Sequence, residues 1–409
     1  MQYAFLGMLI PETMKEEVES LSVNNMQDAA NALQWHLYNG LCRNLGESIK
    51  ILNILPVGSF PQYYKKPVVR SSLFESNYCQ NNLNIGFCNV KLIRKYIQPR
   101  KVYNALKKWC ADSPGEKVLF IYTAADMFIT PVSRIKSRFP ELKVCAIVAD
   151  LPDMSSLKAN KSIFERMLQR VLSSRSYAGL YAVDAFVLLT KYMADYMKIS
   201  QPYCVVEGIS TESTPKLLQS GEAPSNGKII LYTGTLHKRF GVMKLAKAFL
   251  MIKDNSYRLI ICGVGDSVDE LRKCAEKDKR IDFRGQLSRD EVLALQRKAT
   301  VLVNPRQNNE EFTKYSFPSK NLEYLSSGTP LIAYKLDGIP DDYDGCIFYV
   351  ENNSAEALRN KIVEVCSMDG ETRLSFAEKA QNYVLNEKNE VVQTKKIINL
   401  LKENGIIEK

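Results

Sequence analysis

Short apolar runs rich in β-branched and aromatic residues alternate with amphipathic stretches along most of this chain. In the first half the runs are 48–55 (SIKILNIL), 117–122 (KVLFIY), 143–149 (KVCAIVA), 185–190 (AFVLLT) and 203–207 (YCVVE), after an opening apolar stretch. Between them lie helical patterns such as 28–45 (DAANALQWHLYNGLCRNL) and 160–176 (NKSIFERMLQRVLSSRS). A polar segment rich in Ser, Pro and Gly, 213–227, reads as a linker. The alternation then restarts with runs at 228–233, 257–263, 281–285, 300–305, 330–334 and 346–350. Strands separated by helix-length patterns predict parallel sheets with helical crossovers. The expected fold is α/β, with two doubly wound, Rossmann-like domains in series over 1–212 and 228–388. Ligands of such sheets bind beyond the carboxyl ends of the strands, and pockets favour domain interfaces, so the expected site is the cleft between the two. A last helix at about 389–403, in the tail 389–409, is free in sequence terms to pack back on the first domain.

Composition narrows the classes. A chain of 409 residues, 45% hydrophobic and 24% charged, can build two cores. It has no apolar run long enough to span a bilayer, which takes about 20 residues. The opening MQYAFLGMLIPETMKEE lacks a basic leader and a small-residue cleavage site, and is expected to form the first strand. The ten cysteines include no CxxC pair, and several sit in apolar runs. They read as buried thiols of a reducing, cytoplasmic compartment. With only His36 and His237 present, neither a zinc site nor a Ser-His-Asp triad is expected, and no metal is assigned.

The net charge of +10 suits either a solvated basic surface or an anionic partner. Basic residues mix with aromatics at 63–70 (YYKKPVVR) and 91–109 (KLIRKYIQPRKVYNALKKW). Such segments can rest peripherally on the anionic inner face of a membrane. No helix-turn-helix, RNP or zinc-finger pattern points to nucleic acid.

The chemistry concentrates in 315–334 (YSFPSKNLEYLSSGTPLIAY). Ser316 is a candidate N-cap, and Pro318 suits a first helical turn. Ser327-Gly328 and Pro330 end the helix before a strand. At about 100° per residue, Ser319, Lys320 and Glu323 share one face, while Leu322 and Leu325 share another that would pack on the sheet. The first face brings a hydroxyl, an ammonium and helix N-terminal N–H groups together, a good phosphate site. Glu323, one turn deeper, can accept hydrogen bonds from two ribose hydroxyls. The same residues also suit an ordinary surface helix with a Lys–Glu pair three apart.

This segment resembles the donor-binding region of family 4 retaining glycosyltransferases, which have the GT-B fold. Their pattern is a Glu, seven residues, a second Glu, and then a Gly-x-Pro turn. Glu323, Gly328 and Pro330 match its later part, while the first Glu falls on Tyr315. The run Ser316-Phe317-Pro318-Ser319-Lys320 resembles a subgroup of bacterial surface-polysaccharide enzymes. Tyr315, Glu310 or Glu311 would then hold the donor sugar's hydroxyls.

Residues 231–249 (LYTGTLHKRFGVMKLAKAF) are similar to the family's Gly-Arg-Leu…Lys-Gly region, with Gly234, Leu236 and Gly241 matching. The family's Arg and Lys fall on Thr235 and Phe240, with Lys238 and Arg239 adjacent. The turns at 261–266 (ICGVGD) and 281–287 (IDFRGQL) match its Gly-x-Gly and Phe-x-Gly elements at Gly263 and around Arg284. In the family, the groups after the second turn, here Gln286 and Leu287, hold the nucleotide base. Val268 stands where a dinucleotide fingerprint needs its third Gly, which argues against NAD. In the first half, Asp150 and Asp153 follow a strand; they suit a polar turn, or acceptor binding and proton handling.

The resemblance implies transfer of a sugar from a nucleoside diphosphate sugar, UDP-sugar favoured, to a hydroxyl of a glycan or lipid-linked acceptor, with retention and without a metal or other cofactor. Ser319 and Lys320 would stabilise the leaving diphosphate, and Asp150 would serve the acceptor.

Overall fold

The computed structural model describes residues 1–23, 28–151, 163–210 and 227–408, with the main chain alone for 163–170. Asp153 and the expected linker, apart from Gly227, lie outside the described residues. The chain forms two compact units: Met1–Ile209 with Glu390–Lys409, and Ser210–Asn389.

The first unit begins with β1 (Gln2–Gly7), α1 (Glu12–Leu21), α2 (Asp28–Leu45) and β2 (Ile49–Asn53). A run of short strands follows: β3 (Val68–Val69), β4 (Ser72–Phe74), β5 (Asn82–Asn84) and β6 (Phe87–Cys88). Then come α3 (Lys91–Asp112), β7 (Lys117–Tyr122), α4 (Asp126–Arg138), β8 (Lys143–Val148), α5 (Ile163–Gly179), β9 (Ala185–Leu188), α6 (Tyr192–Met197) and β10 (Tyr203–Val205). Its main sheet runs β10-β9-β8-β7-β1-β2-β5-β4. All neighbours are parallel except β4, an antiparallel edge strand, and β3 and β6 pair antiparallel in a separate ribbon. These antiparallel pieces depart from the expected all-parallel pattern. Strands of two or three residues are too short to leave a hydrophobic period in the sequence.

The second unit comprises β11 (Lys228–Thr233), α7 (Val242–Leu250), β12 (Tyr257–Cys262), α8 (Val268–Lys277), β13 (Ile281–Gly285), α9 (Arg289–Lys298) and β14 (Val301–Asn304). It continues with α10 (Ser319–Ser326), β15 (Leu331–Ala333), β16 (Phe348–Tyr349), α11 (Ala355–Ser367) and α12 (Gly370–Glu387). Its six strands, all parallel, run β13-β12-β11-β14-β15-β16. Numbered within the unit, that order is 3-2-1-4-5-6, the doubly wound order of dinucleotide-binding sheets. The order reverses between β11 and β14, and the crevice at such a switch point is where these sheets bind ligands.

The last helix, α13 (Glu390–Glu403), belongs to the first unit. Ile397, Ile398 and Leu401 share a core with Leu37, Tyr38 and Leu41 of α2. Gly40 lets the helices meet closely, since a Cβ there would come within 2.3 Å of the Glu390 carbonyl oxygen. Glu390 also takes His36 Nδ1 at 2.8 Å and Arg43 at 3.0 Å.

Candidate active site

The second unit gathers its chemistry at the β11–β14 switch point. β11 ends in Thr233-Gly234, and Gly234 has φ of 155°, a conformation that only glycine adopts without strain. Its N–H donates to the Cys262 carbonyl at 3.0 Å, and the Gly263 N–H donates to the Gly285 carbonyl at 2.7 Å. A Cβ on Gly263 would come within 1.8 Å of the Gly234 carbonyl oxygen. The ends of β11, β12 and β13 therefore form a side-chain-free edge that a diphosphate can approach closely.

Helix α10 is fixed beside that edge by buried polar contacts. The Tyr324 hydroxyl accepts from the Thr233 N–H at 2.8 Å and donates to the Thr233 carbonyl at 2.8 Å. Asn304 Nδ2 donates to Asn321 Oδ1 at 2.6 Å. Leu322 and Leu325 are buried against the sheet, as the periodicity predicts. These contacts hold the start of α10 at the ends of β11 and β14. No side chain caps it, so its N-terminal dipole is open to an anion. Ser316 is not the N-cap. Its hydroxyl donates back to the Phe312 carbonyl at 3.0 Å and accepts from Arg306 at 2.7 Å, and Pro318 takes the cap position. Pro318 has no N–H and sets the first turn through its fixed φ.

Lys320 reaches the Gly234 turn. A Cβ on Gly234 would lie 3.8 Å from Lys320 Cε and 3.4 Å from the Tyr232 hydroxyl. Lys320 Nζ is paired with both oxygens of Glu323, at 2.8 and 3.0 Å. Glu323 also accepts from Gln296 Nε2 at 2.6 Å. Gln296 is fully buried on α9 and donates as well to Thr233 Oγ1 at 3.1 Å. The carboxylate is thus aimed by a buried amide that no sequence motif singled out.

Arg306 is the larger omission. It follows Pro305 at the end of β14, and its guanidinium lies 5.5 Å from the Phe240 ring centroid and 4.7 Å from that of Phe312. Arg239 stacks on the same two rings, at 5.0 and 5.2 Å. Burial, and then the neighbouring Arg239, lower the Arg306 pKa to about 10, so it stays charged at neutral pH. Its Nε is buried with no partner, and so is Asn321 Nδ2 on α10. Two adjacent cations and unpaired donors make a site that favours an anion. Gly241, with φ of 80°, permits the approach, because a Cβ there would come within 2.1 Å of the Pro305 carbonyl oxygen. An aromatic at Phe240, where the resembled family has Lys, was the available signal: a cation stacked on it can come from another loop.

Residues 213–383 match the family described as Glycosyl transferases group 1. The matched stretch covers most of the second unit and less than half of the chain. Solved structures similar to the chain include the sucrose-phosphate synthase of Thermosynechococcus elongatus, 15% identical with TM-score 0.64, matched over 98% of this chain and 99% of that one. Another is a structure described as trehalose-6-phosphate from E. coli bound with UDP-2-fluoro glucose, 9% identical, TM-score 0.66, over 98% and 99%. A third is the lipopolysaccharide outer core galactosyltransferase WaaB, 13% identical, TM-score 0.63, over 98% and 99%. At these identities the likeness establishes the fold, which is that of the GT-B glycosyltransferases. No curated protein sequence matches the chain.

Around this site the remaining expected residues divide. The Thr235 side chain is exposed, and its carbonyl accepts from the Tyr232 hydroxyl at 2.8 Å. The Tyr315 hydroxyl donates to Glu311 at 3.0 Å, so two of the three groups considered for the donor sugar are bonded to each other. Gln286 and Leu287 follow the β13 end beside Gly263, ahead of a Ser288–Glu291 capping box. Three residues are engaged elsewhere. Lys238 pairs with Glu270, Arg284 pairs with Asp282 at 2.8 Å, and the Phe317 ring is buried 5.4 Å from that of Tyr343. Charge neutralisation holds the first two, and core packing leaves Phe317 only its main chain for a ligand.

Asp150 belongs to the first unit, just past β8. It keeps access to solvent, yet desolvation by the surrounding protein raises its carboxyl above the usual range. Among the described residues no cluster of His, Cys, Asp and Glu could hold a metal ion.

Proposed function

We propose that this protein is a glycosyltransferase that moves a sugar from a nucleoside diphosphate sugar, a UDP-sugar by preference, to a hydroxyl of a glycan or lipid-linked acceptor, with retention of configuration and without a metal. The observation that carries the proposal is Lys320 at the Gly234 turn. As the sugar leaves, negative charge grows on the diphosphate. Lys320, the Ser319 hydroxyl, the α10 N-terminus and Arg306 stabilise that charge in a partly dry site. Glu323 takes the ribose hydroxyls, and the main chain at Gln286 and Leu287 takes the base. Tyr315 with Glu311 meets the donor sugar. The leaving oxygen receives the acceptor's proton, and Asp150 orients the acceptor or shares that proton.

The UDP-2-fluoro glucose named for the E. coli structure supports the donor preference. The outer-core role named for WaaB supports surface-polysaccharide assembly. Exposed Val68, Leu73, Leu92, Ile93 and Tyr96 all fall between residues 68 and 96 of the first unit, among Lys65, Lys66, Arg70, Lys91 and Lys95. That mixture supports peripheral contact with an anionic membrane at its cytoplasmic face. Among the described residues no helix is long and apolar enough to cross one.

A second reading, a non-catalytic partner of another transferase, is favoured by one observation: Lys320 and Glu323 already satisfy each other. Calorimetric titration with UDP, GDP and NAD, followed by a donor panel read by mass spectrometry against extracted lipid-linked acceptors, separates them. UDP binding with transfer is expected. NAD binding without either diphosphate would end the proposal, and diphosphate binding without transfer of any donor selects the partner role.

A further inference from the structure

The first unit has an open cavity of about 600 Å³ at the carboxyl ends of β2 and β5. Its lining begins at α1 and continues through Leu55, just past β2, to the segment 64–72. Met14, Val18, Leu55 and Val69 supply an apolar wall. Tyr64 also lines it and is only 3% exposed. Its hydroxyl makes no hydrogen bond within the described residues and is reached by solvent through the open cavity, so it can bond a ligand there in place of water.

The charges of the lining define that occupant. Lys66 Nζ pairs with Glu17 at 2.7 Å, so these two cancel. Arg70 lines the cavity and makes no ion pair among the described residues. The uncompensated charge is therefore one guanidinium, whose planar fork suits phosphate. The sheet edge is also the right place, since ligands of open α/β sheets bind outside the carboxyl ends of the strands.

We propose that this cavity binds a phosphate ester carried on an apolar chain. Arg70 and the Tyr64 hydroxyl take the phosphate oxygens, and Met14, Val18, Leu55 and Val69 take the first carbons of the chain. Only the further statement that this ligand is the acceptor rests on the glycosyl-transfer reading. The site is separate from Asp150, which follows a different strand.

Calorimetry on the full chain with octyl phosphate, inorganic phosphate and octanol tests it, with UDP titrated alongside. Octyl phosphate is expected to bind well above the other two. Arg70→Gln weakens it about tenfold and Tyr64→Phe roughly fivefold. Glu17→Gln, which releases Lys66, tightens it severalfold. UDP affinity stays unchanged in all three variants. Equal binding of inorganic phosphate overturns the apolar part, and equal binding of octanol overturns the phosphate part. Octyl phosphate affinity indifferent to Arg70→Gln, an exposed change that spares the core, overturns the site. If octyl phosphate behaves as stated while UDP fails to bind, the donor reading falls and the cavity stands.

Discussion

The two sheets finish their strands differently. In the second unit β11, β12 and β13 end at Gly234, Gly263 and Gly285, with φ of 155°, 139° and 68°. In the first unit β7 runs into Thr123, a β-branched residue at φ of 90°, and β8 runs into Ala149 and Asp150. One edge presents main chain and the other presents side chains. A bare edge suits a ligand part common to all donors, the diphosphate. A side-chain edge suits a part that differs from one enzyme to the next, the acceptor. The strain at Thr123, one strand from Asp150, is the kind found where function holds a conformation in place.

The sharpest way to break this comparison is to add one methyl group to each edge. Gly263→Ala drives a Cβ to 1.8 Å from a main-chain oxygen that cannot yield, at a φ that L-residues avoid. Strain and overpacking together should cost about 4 kcal/mol in denaturant unfolding. Gly7, at the end of β1, meets instead the Phe5 ring edge at 2.6 Å and the Gln34 side chain at 3.1 Å. Side chains can shift, so Gly7→Ala should cost about 2 kcal/mol. Equal losses would remove the distinction between the edges.

Asp150→Asn tests the side-chain edge. Transfer should fall about a hundredfold or more, while UDP affinity is unchanged. Desolvation raises the Asp150 pKa, so its carboxylate forms only at higher pH than that of an ordinary Asp. The acid limb of the rate profile should lie correspondingly high, and it should vanish in the Asp150→Asn variant. Stability responds to pH in the opposite sense to rate. A raised folded pKa gives stability that is present below the unfolded pKa and lost as pH rises through the folded one. Asp150→Asn should therefore be slightly more stable than the parent at neutral pH, and no more stable in acid. A rate profile that keeps its acid limb in this variant would remove Asp150 from proton handling.

At the bare edge, Lys320→Ala and Arg306→Ala should each weaken UDP binding about thirtyfold by calorimetry, as lost charge-assisted contacts to phosphate. Arg306→Lys should recover little, because an ammonium neither stacks on Phe240 and Phe312 as a plane nor reaches Ser316 in the same fork. Full recovery by lysine would reduce Arg306 to a point charge.

Much of the fold and of this edge was legible in the sequence where it is local. The strand at 281–285 and the helix at 28–45 have the predicted bounds, since period and punctuation lie within a few residues. Lys320 and Glu323 share a face because they are three apart on one helix. What stayed hidden comes from elsewhere in the chain. Arg306 reaches Phe240 from a different loop, and Gln296 on α9 aims Glu323 on α10. No periodicity encodes such pairings. Ser316 misled for the opposite reason: its local signature fits an N-cap, but a hydrogen bond from Arg306 engages its hydroxyl outside the helix.

The smallest effect is the most discriminating. Glu323 accepts from Lys320 and Gln296 and is also assigned to the ribose. An exposed or half-exposed ion pair is worth about 0.2–1 kcal/mol. Glu323→Gln removes that pair and frees Lys320 for phosphate, while weakening one or two ribose contacts of about 1 kcal/mol each. UDP affinity should therefore drop only about threefold, and pyrophosphate, which has no ribose, should bind up to about fivefold more tightly. The ratio of the two affinities is the informative number, because it cancels any general loosening of the loop. If pyrophosphate weakens as much as UDP, Glu323 acts by holding Lys320 in place, and the bare edge recognises phosphate alone.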